Sequence, residues 1–228
     1  TGNIALGSND SSSLTLSNGT ITGDITSEGN QAITINGGAL NGNVDFEGNL
    51  TLGNGAKSIA GNITSHGGAA SLNVNSGAQV VDGDVTLNAG DQLGVTFNAN
   101  GSVGKLSATG AVILPSGVRL NISIGEAYSY IKNGSSFIIV EGDENSDINK
   151  IADENVNANA SGSNSAFGVL QFTTSVTNDK LAINAKSGLL TDVRLRRALL
   201  LAADGRPMAN RLALALLALL GRRVLLAL

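Results

Sequence analysis

The sequence predicts an all-β fold: a right-handed parallel β-helix, or solenoid, with a β-rich C-terminal cap and a helical tail. Three observations carry this. One short motif returns at a nearly constant interval, and alternating apolar triplets lie between its copies. The 228 residues also hold 30 glycines and only seven aromatics, the makings of thin strands and many corners.

The motif reads apolar, any residue, Gly, Asp or Asn, apolar. Its copies are Ile21-Thr22-Gly23-Asp24-Ile25, Leu40-Asn41-Gly42-Asn43-Val44, Ile59-Ala60-Gly61-Asn62-Ile63 and Val81-Asp82-Gly83-Asp84-Val85. They start 19, 19 and 22 residues apart, and Val103-Gly104-Lys105-Leu106 is a looser fifth copy. Between them lie Leu14-Thr15-Leu16, Ile33-Thr34-Ile35, Leu50-Thr51-Leu52, Leu72-Asn73-Val74 and Val95-Thr96-Phe97. Each cycle of about 20 residues thus carries two or three short period-2 strands separated by Gly-rich turns. A sandwich needs longer hairpin strands, and the asparagine ladder and consensus leucines of a leucine-rich repeat are missing, so stacked coils are preferred.

In such a stack, hydrogen bonds run from coil to coil over about 4.8 Å. Leu, Ile and Val point inward, Thr, Ser and Asn outward, and Gly and Asn are expected to supply left-handed corners. Coils are assigned to residues 1–111. Past residue 110 the motif fades. The region 112–186 is read as a cap, with strands over 111–114, 118–124, 128–131 and 137–140. Residues 167–173 and 180–185 form a hairpin turning at Thr177-Asn178-Asp179. The stretch 141–166 is read as a polar surface excursion, most exposed over 155–165. Five of the aromatics (Tyr128, Tyr130, Phe137, Phe167 and Phe172) lie in the cap region, where they would seal the end of the stack.

Charge divides the chain differently. Residues 1–190 hold seven basic and 16 acidic residues, net −9, whereas 191–228 hold seven Arg and two acids, net +5. The segment 187–228 is read as a Leu/Ala/Arg-rich helical linker, or as a non-native, frame-shifted tail. Asp204-Gly205-Arg206-Pro207 separates its two helical runs. Leu212 to Leu220 is too short an apolar run to span a bilayer, which takes roughly 20 residues.

The chemistry of catalysis is sparse. Zero Cys excludes thiol chemistry, disulfide scaffolds and zinc ribbons, and a single His, His66, leaves no pair. His66 in Ser65-His66-Gly67-Gly68 is expected to be solvated at a turn. No nucleophile elbow, Walker A or dinucleotide fingerprint occurs. Asp45 with Glu47, and Asp82 with Asp84, share strand faces as a glycosidase couple would, but solvated outward positions explain them. Asp24, Asn43, Asn62, Asp82 and Asp84 offer oxygen to a cation, yet tandem calcium-binding nonapeptides are absent and a corner role is preferred. Segment 143–154 (Asp143, Asn145, Asp147, Asn149, Glu154) mimics EF-hand spacing, with Ile148 where that loop demands Gly; a polar loop is preferred to a weak calcium site. No catalytic, metal-binding or cofactor-binding residue is assigned, and the acidic balance gives no attraction to nucleic acid.

The order of segments resembles the C-terminal part of a bacterial autotransporter passenger: a Thr/Asn/Gly-rich, Cys-free β-helix, an aromatic cap and an Ala/Leu-rich tail. Region 112–186 is similar to the autochaperone of that family, and Gly134-Ser135-Ser136-Phe137-Ile138-Ile139-Val140 sits where such regions place a "G…F.LV" strand. Pro207 to Leu216 is loosely similar to the start of the linker that threads the outer-membrane barrel, although the alternating strands of a barrel are not among these 228 residues. The resemblance implies a non-enzymatic cell-surface segment, a stalk or adhesin scaffold whose cap promotes folding during type V secretion. It also implies the chain's own outer-membrane barrel as partner, a host surface protein or glycan as a further candidate, and an outer-membrane, cell-surface or secreted location. The Cys-free chain agrees, since a disulfide formed in the periplasm would block threading. The alternatives are a carbohydrate-active β-helix, a polysaccharide lyase or hydrolase, and a glycan-binding face of Thr/Asn ladders.

Overall fold

The computed structural model describes residues 1–8, 12–67, 69–75, 77–98, 102–125, 131, 134–160 and 170–187. Its strands, β1 to β20 along the chain, form two large sheets. The first sheet is β1 (Ile4–Leu6), β4 (Ile25–Ser27), β6 (Val44–Phe46), β8 (Ile63–Ser65), β11 (Val85–Thr86), β14 (Val112–Leu114) and β17 (Asp147–Ile148), in that spatial order. Every neighbouring pair in it is parallel.

The second sheet has 13 strands and is filled in two columns. One column runs through β2 (Ser13–Leu16), the first half of β5 (Ala32–Asn41), the first half of β7 (Asn49–Ala60), β9 (Ser71–Val74), β12 (Gln92–Phe97), β15 (Arg119–Ile124) and β18 (Val156–Ala160). The other runs through β3 (Thr20–Thr22), the second halves of β5 and β7, β10 (Ala78–Asp82), β13 (Lys105–Ala108) and β16 (Ser136–Glu141). The chain therefore visits the three columns in the same order in each cycle. This all-β arrangement of long parallel sheets is consistent with a β-solenoid. Parallel strands need a crossover between them, and here the rest of each cycle supplies it.

The short strands form because each carries one or two inward residues that stack on their equivalents a cycle away. Ile25, Val44, Ile63, Val85 and Val112 occupy one register position in the first sheet, all fully buried. Ile33, Leu50, Leu72, Leu93 and Leu120 do the same in the second. Burying each such side chain stabilises the fold by about 1.5–3 kcal/mol, which compensates for strands too short to stand alone.

The motif fades past residue 110, but the pairing does not. β14, β15 and β16 continue all three columns in parallel register. What changes is the cycle length: successive partners in the first sheet lie 21, 19, 19, 22, 27 and 34 residues apart. Added loop residues dilute the repeat without moving the inward positions. For the same reason the expected polar excursion over 141–166 is corrected in part. Asp147–Ile148 is strand β17, and Val156–Ala160 is strand β18 on β15. Val156 and Ala158 pack on the core while Asn157 and Asn159 face out, a period-2 pattern disguised by alanine.

The parallel run ends at the expected hairpin. β19 (Leu170–Val176) and β20 (Lys180–Ser187) pair antiparallel, and β20 lies antiparallel on β16. Asn178 and Asp179 have φ of 45° and 56°, as a two-residue type I′ turn demands. A bulge between Ile138 and Val140 lets both Ile139 and Val140 turn inward, where each is fully buried. Of the aromatics expected to seal the end, Phe137 and Phe172 meet Phe97 of β12, at centroid distances of 5.0 and 6.0 Å. Tyr128, Tyr130 and Phe167 lie outside the described residues, as does all but Ser187 of the 187–228 segment read as helical; Ser187 ends strand β20. Among the described residues the one helical element is a 3-10 turn, Asp153–Asn155, and no helix is long and apolar enough to cross a membrane.

Candidate functional site: the corner ladder and the terminal hairpin

The repeated Gly-[Asp/Asn] corner explains itself in the stack. A Cβ on Gly42 would lie 2.1 Å from the Gly23 carbonyl oxygen, and one on Gly61 would lie 2.3 Å from that of Gly42. Successive corners touch backbone to backbone, so only glycine fits. Gly23 and Gly61 also have positive φ, 133° and 154°.

The residue after each glycine does something other than expected. Asn43 and Asn62 do not take a left-handed backbone; among the described residues only Asn178 and Asp179 do so without being glycine. They act instead through their side chains. Asp24 N–H donates to Asn3 Oδ1 (2.9 Å), Asn43 N–H to Asp24 Oδ1 (2.8 Å) and Asn62 N–H to Asn43 Oδ1 (2.9 Å). Asp84 N–H then donates to Asn62 Oδ1 (2.9 Å) and Ala111 N–H to Asp84 Oδ1 (2.8 Å). Each side-chain oxygen thus accepts the corner amide of the following coil, which the strand ladders leave unserved. Four of the five residues considered as cation ligands are engaged this way, and Asp82 accepts Thr109 Oγ1–H at 2.8 Å. Replacing Asn43 by Ala orphans the Asn62 amide at an exposed corner, and we expect a loss of about 1 kcal/mol in urea unfolding, with Asn43→Asp close to neutral.

The opposite corner uses a different device in each cycle. Gln31 Nε2 donates to the Gly7 carbonyl (2.8 Å), and Gly29 N–H donates to Glu47 Oε2 (2.6 Å). Asp91, fully buried, is the most committed: its carboxylate accepts Ser65 Oγ–H, Ala70 N–H (3.0 Å) and Asn88 N–H (2.7 Å). Asn88 Nδ2 donates to the Ser65 carbonyl at 2.7 Å, closing the cluster. Asp91 escaped the sequence reading because no periodic partner marks it; the local Asn88-Ala89-Gly90-Asp91 turn was the available signal.

The acid pairs do not converge on one point. Asp45 meets His66 Nδ1 at 2.5 Å, while Glu47 serves the Gly29 amide. His66 is therefore paired rather than simply solvated, although the His66 and Asp45 side chains remain 41% and 50% exposed. In segment 143–154, Asp143 accepts Asn145 N–H (2.9 Å) and Asp147 accepts Asn149 Nδ2–H (3.2 Å), while Ile148 turns into the core. Among the described residues no three His, Cys, Asp or Glu side chains are placed to hold a metal ion.

The terminal hairpin is fastened by charge. Glu141, at the end of β16, receives Lys105 of β13 on Oε2 and Lys180 of β20 on Oε1, the latter at 2.6 Å. One carboxylate so joins the last parallel strands to the first antiparallel one. The hydrogen bond from Lys105 foremost, and then that from Lys180, hold the Glu141 carboxyl at about 2, below its ordinary 4.5. This contribution is complete above pH 4.5 and is lost as pH falls from there towards about 2. Because all three side chains reach water, we expect it to amount to about 1 kcal/mol, and Glu141→Gln should remove it from the pH dependence of urea unfolding.

Comparison of the chain with protein-family models, with curated proteins and with solved structures finds no match.

Proposed function

We propose that the chain is a right-handed parallel β-helix that serves as the non-enzymatic stem of a surface-exposed autotransporter passenger, a stalk or adhesin scaffold. Its C-terminal region promotes folding of the coils during secretion, and its partner is the chain's own outer-membrane barrel. The observation that carries this reading is the way the stack ends. A hairpin formed by local contacts lies antiparallel on β16 and is locked there by Lys105, Glu141 and Lys180.

A two-residue hairpin closes a short loop and forms early, whereas each coil must first close a loop of 19 or more residues. A preformed β20 edge offers β16 a template, and each later strand then templates its neighbour towards the N-terminus. For a chain emerging from a membrane C-terminal part first, this order yields directional folding. The side-chain chemistry is compatible with this: among the described residues Asp24, Glu47 and Asp84 accept backbone amides, Asp82 accepts the Thr109 hydroxyl, and Asp45 pairs with His66.

Removal of residues 170–187 tests the reading. The expected result is slow refolding and loss of protease resistance across residues 1–111. Coils that fold as fast and resist protease as well without the hairpin would overturn it.

A further inference from the structure

We propose that Asn18-Gly19 is a site of spontaneous backbone rearrangement, by which the asparagine becomes aspartate or isoaspartate and loosens the first coil. The sequence holds six Asn-Gly pairs, and three of them, 18–19, 36–37 and 41–42, lie wholly among residues whose backbone and side chains are described. The structure separates these three sharply.

The reaction needs the amide nitrogen of the glycine to reach the side-chain carbon of the asparagine. Glycine favours it because no Cβ blocks the approach and the backbone is free to rotate. The Gly19 amide gives up its proton and attacks Asn18 Cγ. A new N–Cγ bond forms, the Cγ–Nδ2 bond breaks, and ammonia departs with the proton, leaving a cyclic imide. Water then opens the imide. Addition at Cγ gives aspartate; addition at the backbone carbonyl gives isoaspartate, with one extra methylene in the main chain.

At Asn41-Gly42 this path is barred. The Gly42 N–H donates to the Ala60 carbonyl at 3.0 Å, and its Cα lies under the Gly23 carbonyl. At Asn36-Gly37 the pair lies inside β5, Gly37 is buried against β7, and Asn36 Oδ1 fills the space where a Cβ on Gly53 would stand. Asn18-Gly19 sits at the bend between β2 and β3 with both residues exposed. Gly19 has φ 86° with open space around its α-carbon, and its N–H donates to no acceptor among the described residues.

The same glycine also carries a coil contact. The Gly19 carbonyl accepts Ala39 N–H at 2.9 Å, and it lies 2.4 Å from where a Cβ on Gly38 would be. An inserted methylene between residues 18 and 19 moves that carbonyl off Ala39, so the rearrangement frees an amide of the next coil. The new carboxylate adds one charge to an already acidic body.

The test incubates the full chain at mildly alkaline pH and follows each Asn-Gly peptide by mass spectrometry, with fragmentation that distinguishes isoaspartate. Asn18 should react about tenfold faster than Asn36 or Asn41, a factor set at Asn41 by the Gly42–Ala60 hydrogen bond that must open and at Asn36 by the burial of Gly37 within β5. In denaturant the three rates should converge. Modified chains should exchange the Ala39 amide faster, while an Asn18→Gln variant, which cannot close the five-membered imide, should keep it protected through the same incubation. Equal rates at the three sites in the folded chain, or a ranking that survives denaturant, would overturn the proposal.

Discussion

Replacing Asp91 by Ala should cost about 3–5 kcal/mol, because the buried Ala70 amide and Ser65 hydroxyl lose their acceptor and the half-buried Asn88 amide keeps only its longer contact to Ser65 Oγ (3.1 Å), at ~1–3 kcal/mol for each group left unsatisfied. The carboxylate has no cationic partner in this cluster, so its negative charge is met by N–H and O–H dipoles alone. That arrangement is stable only while every donor stays in place. Asp91→Asn keeps one acceptor oxygen but turns an amide N–H towards another donor, and about 2 kcal/mol is the expected loss. Urea unfolding with unchanged m-values is the measurement. A loss below about 1 kcal/mol for the alanine variant would mean that water replaces the carboxylate at this corner, against its complete burial.

Gly61→Ala should be comparably damaging for a different reason. Its new Cβ would stand 2.3 Å from the Gly42 carbonyl oxygen and 2.6 Å from the carbonyl carbon, both backbone atoms fixed by the coil below. Relief requires adjacent coils to part or slide, and the expected cost is at least ~3 kcal/mol. Gly77→Ala separates steric stacking from backbone strain. Gly77 has φ 83° but nothing within 4 Å of an added Cβ, so the expected cost there is only ~1 kcal/mol. Equal effects at the two positions would show that the corner glycines serve φ rather than close contact.

Much of the fold is legible because its physics is periodic. Ile33-Thr34-Ile35 and its equivalents mark strands by alternation, and the glycines of the motif mark the points where coil backbones touch. The hairpin is equally readable, since Asn178-Asp179 can adopt the backbone a type I′ turn requires. What escapes is whatever each cycle solves in its own way. Gln31, Glu47 and Asp91 satisfy the second corner with different side chains, so no column of like residues announces them. Strand β18 escapes because its inward residues Val156 and Ala158 offer little apolar contrast to the flanking asparagines. The continued pairing of β14 to β17 escapes because the cycle lengthens just where the motif weakens.

The role of the corner asparagines shows how composition misleads when a residue has two talents. Asn is prominent in left-handed turns, and that suggested a backbone role at positions 43 and 62. The backbone there is ordinary, and the amide oxygen receives the N–H of the next coil instead. Asp serves equally well at 24 and 84 because acceptance needs only the oxygen. This also accounts for a pattern that looked like cation ligands but binds coil to coil.

Pulse-labelled hydrogen exchange during refolding tests the central claim most directly, namely that the stack grows from its C-terminal hairpin. The account predicts that amides of β16 and β20 gain protection first, those of β13 and β10 next, and the coil-to-coil amides of Val44 and Ile25 last. Protection that starts at Val44 or Ile63 before β20 is formed would contradict it.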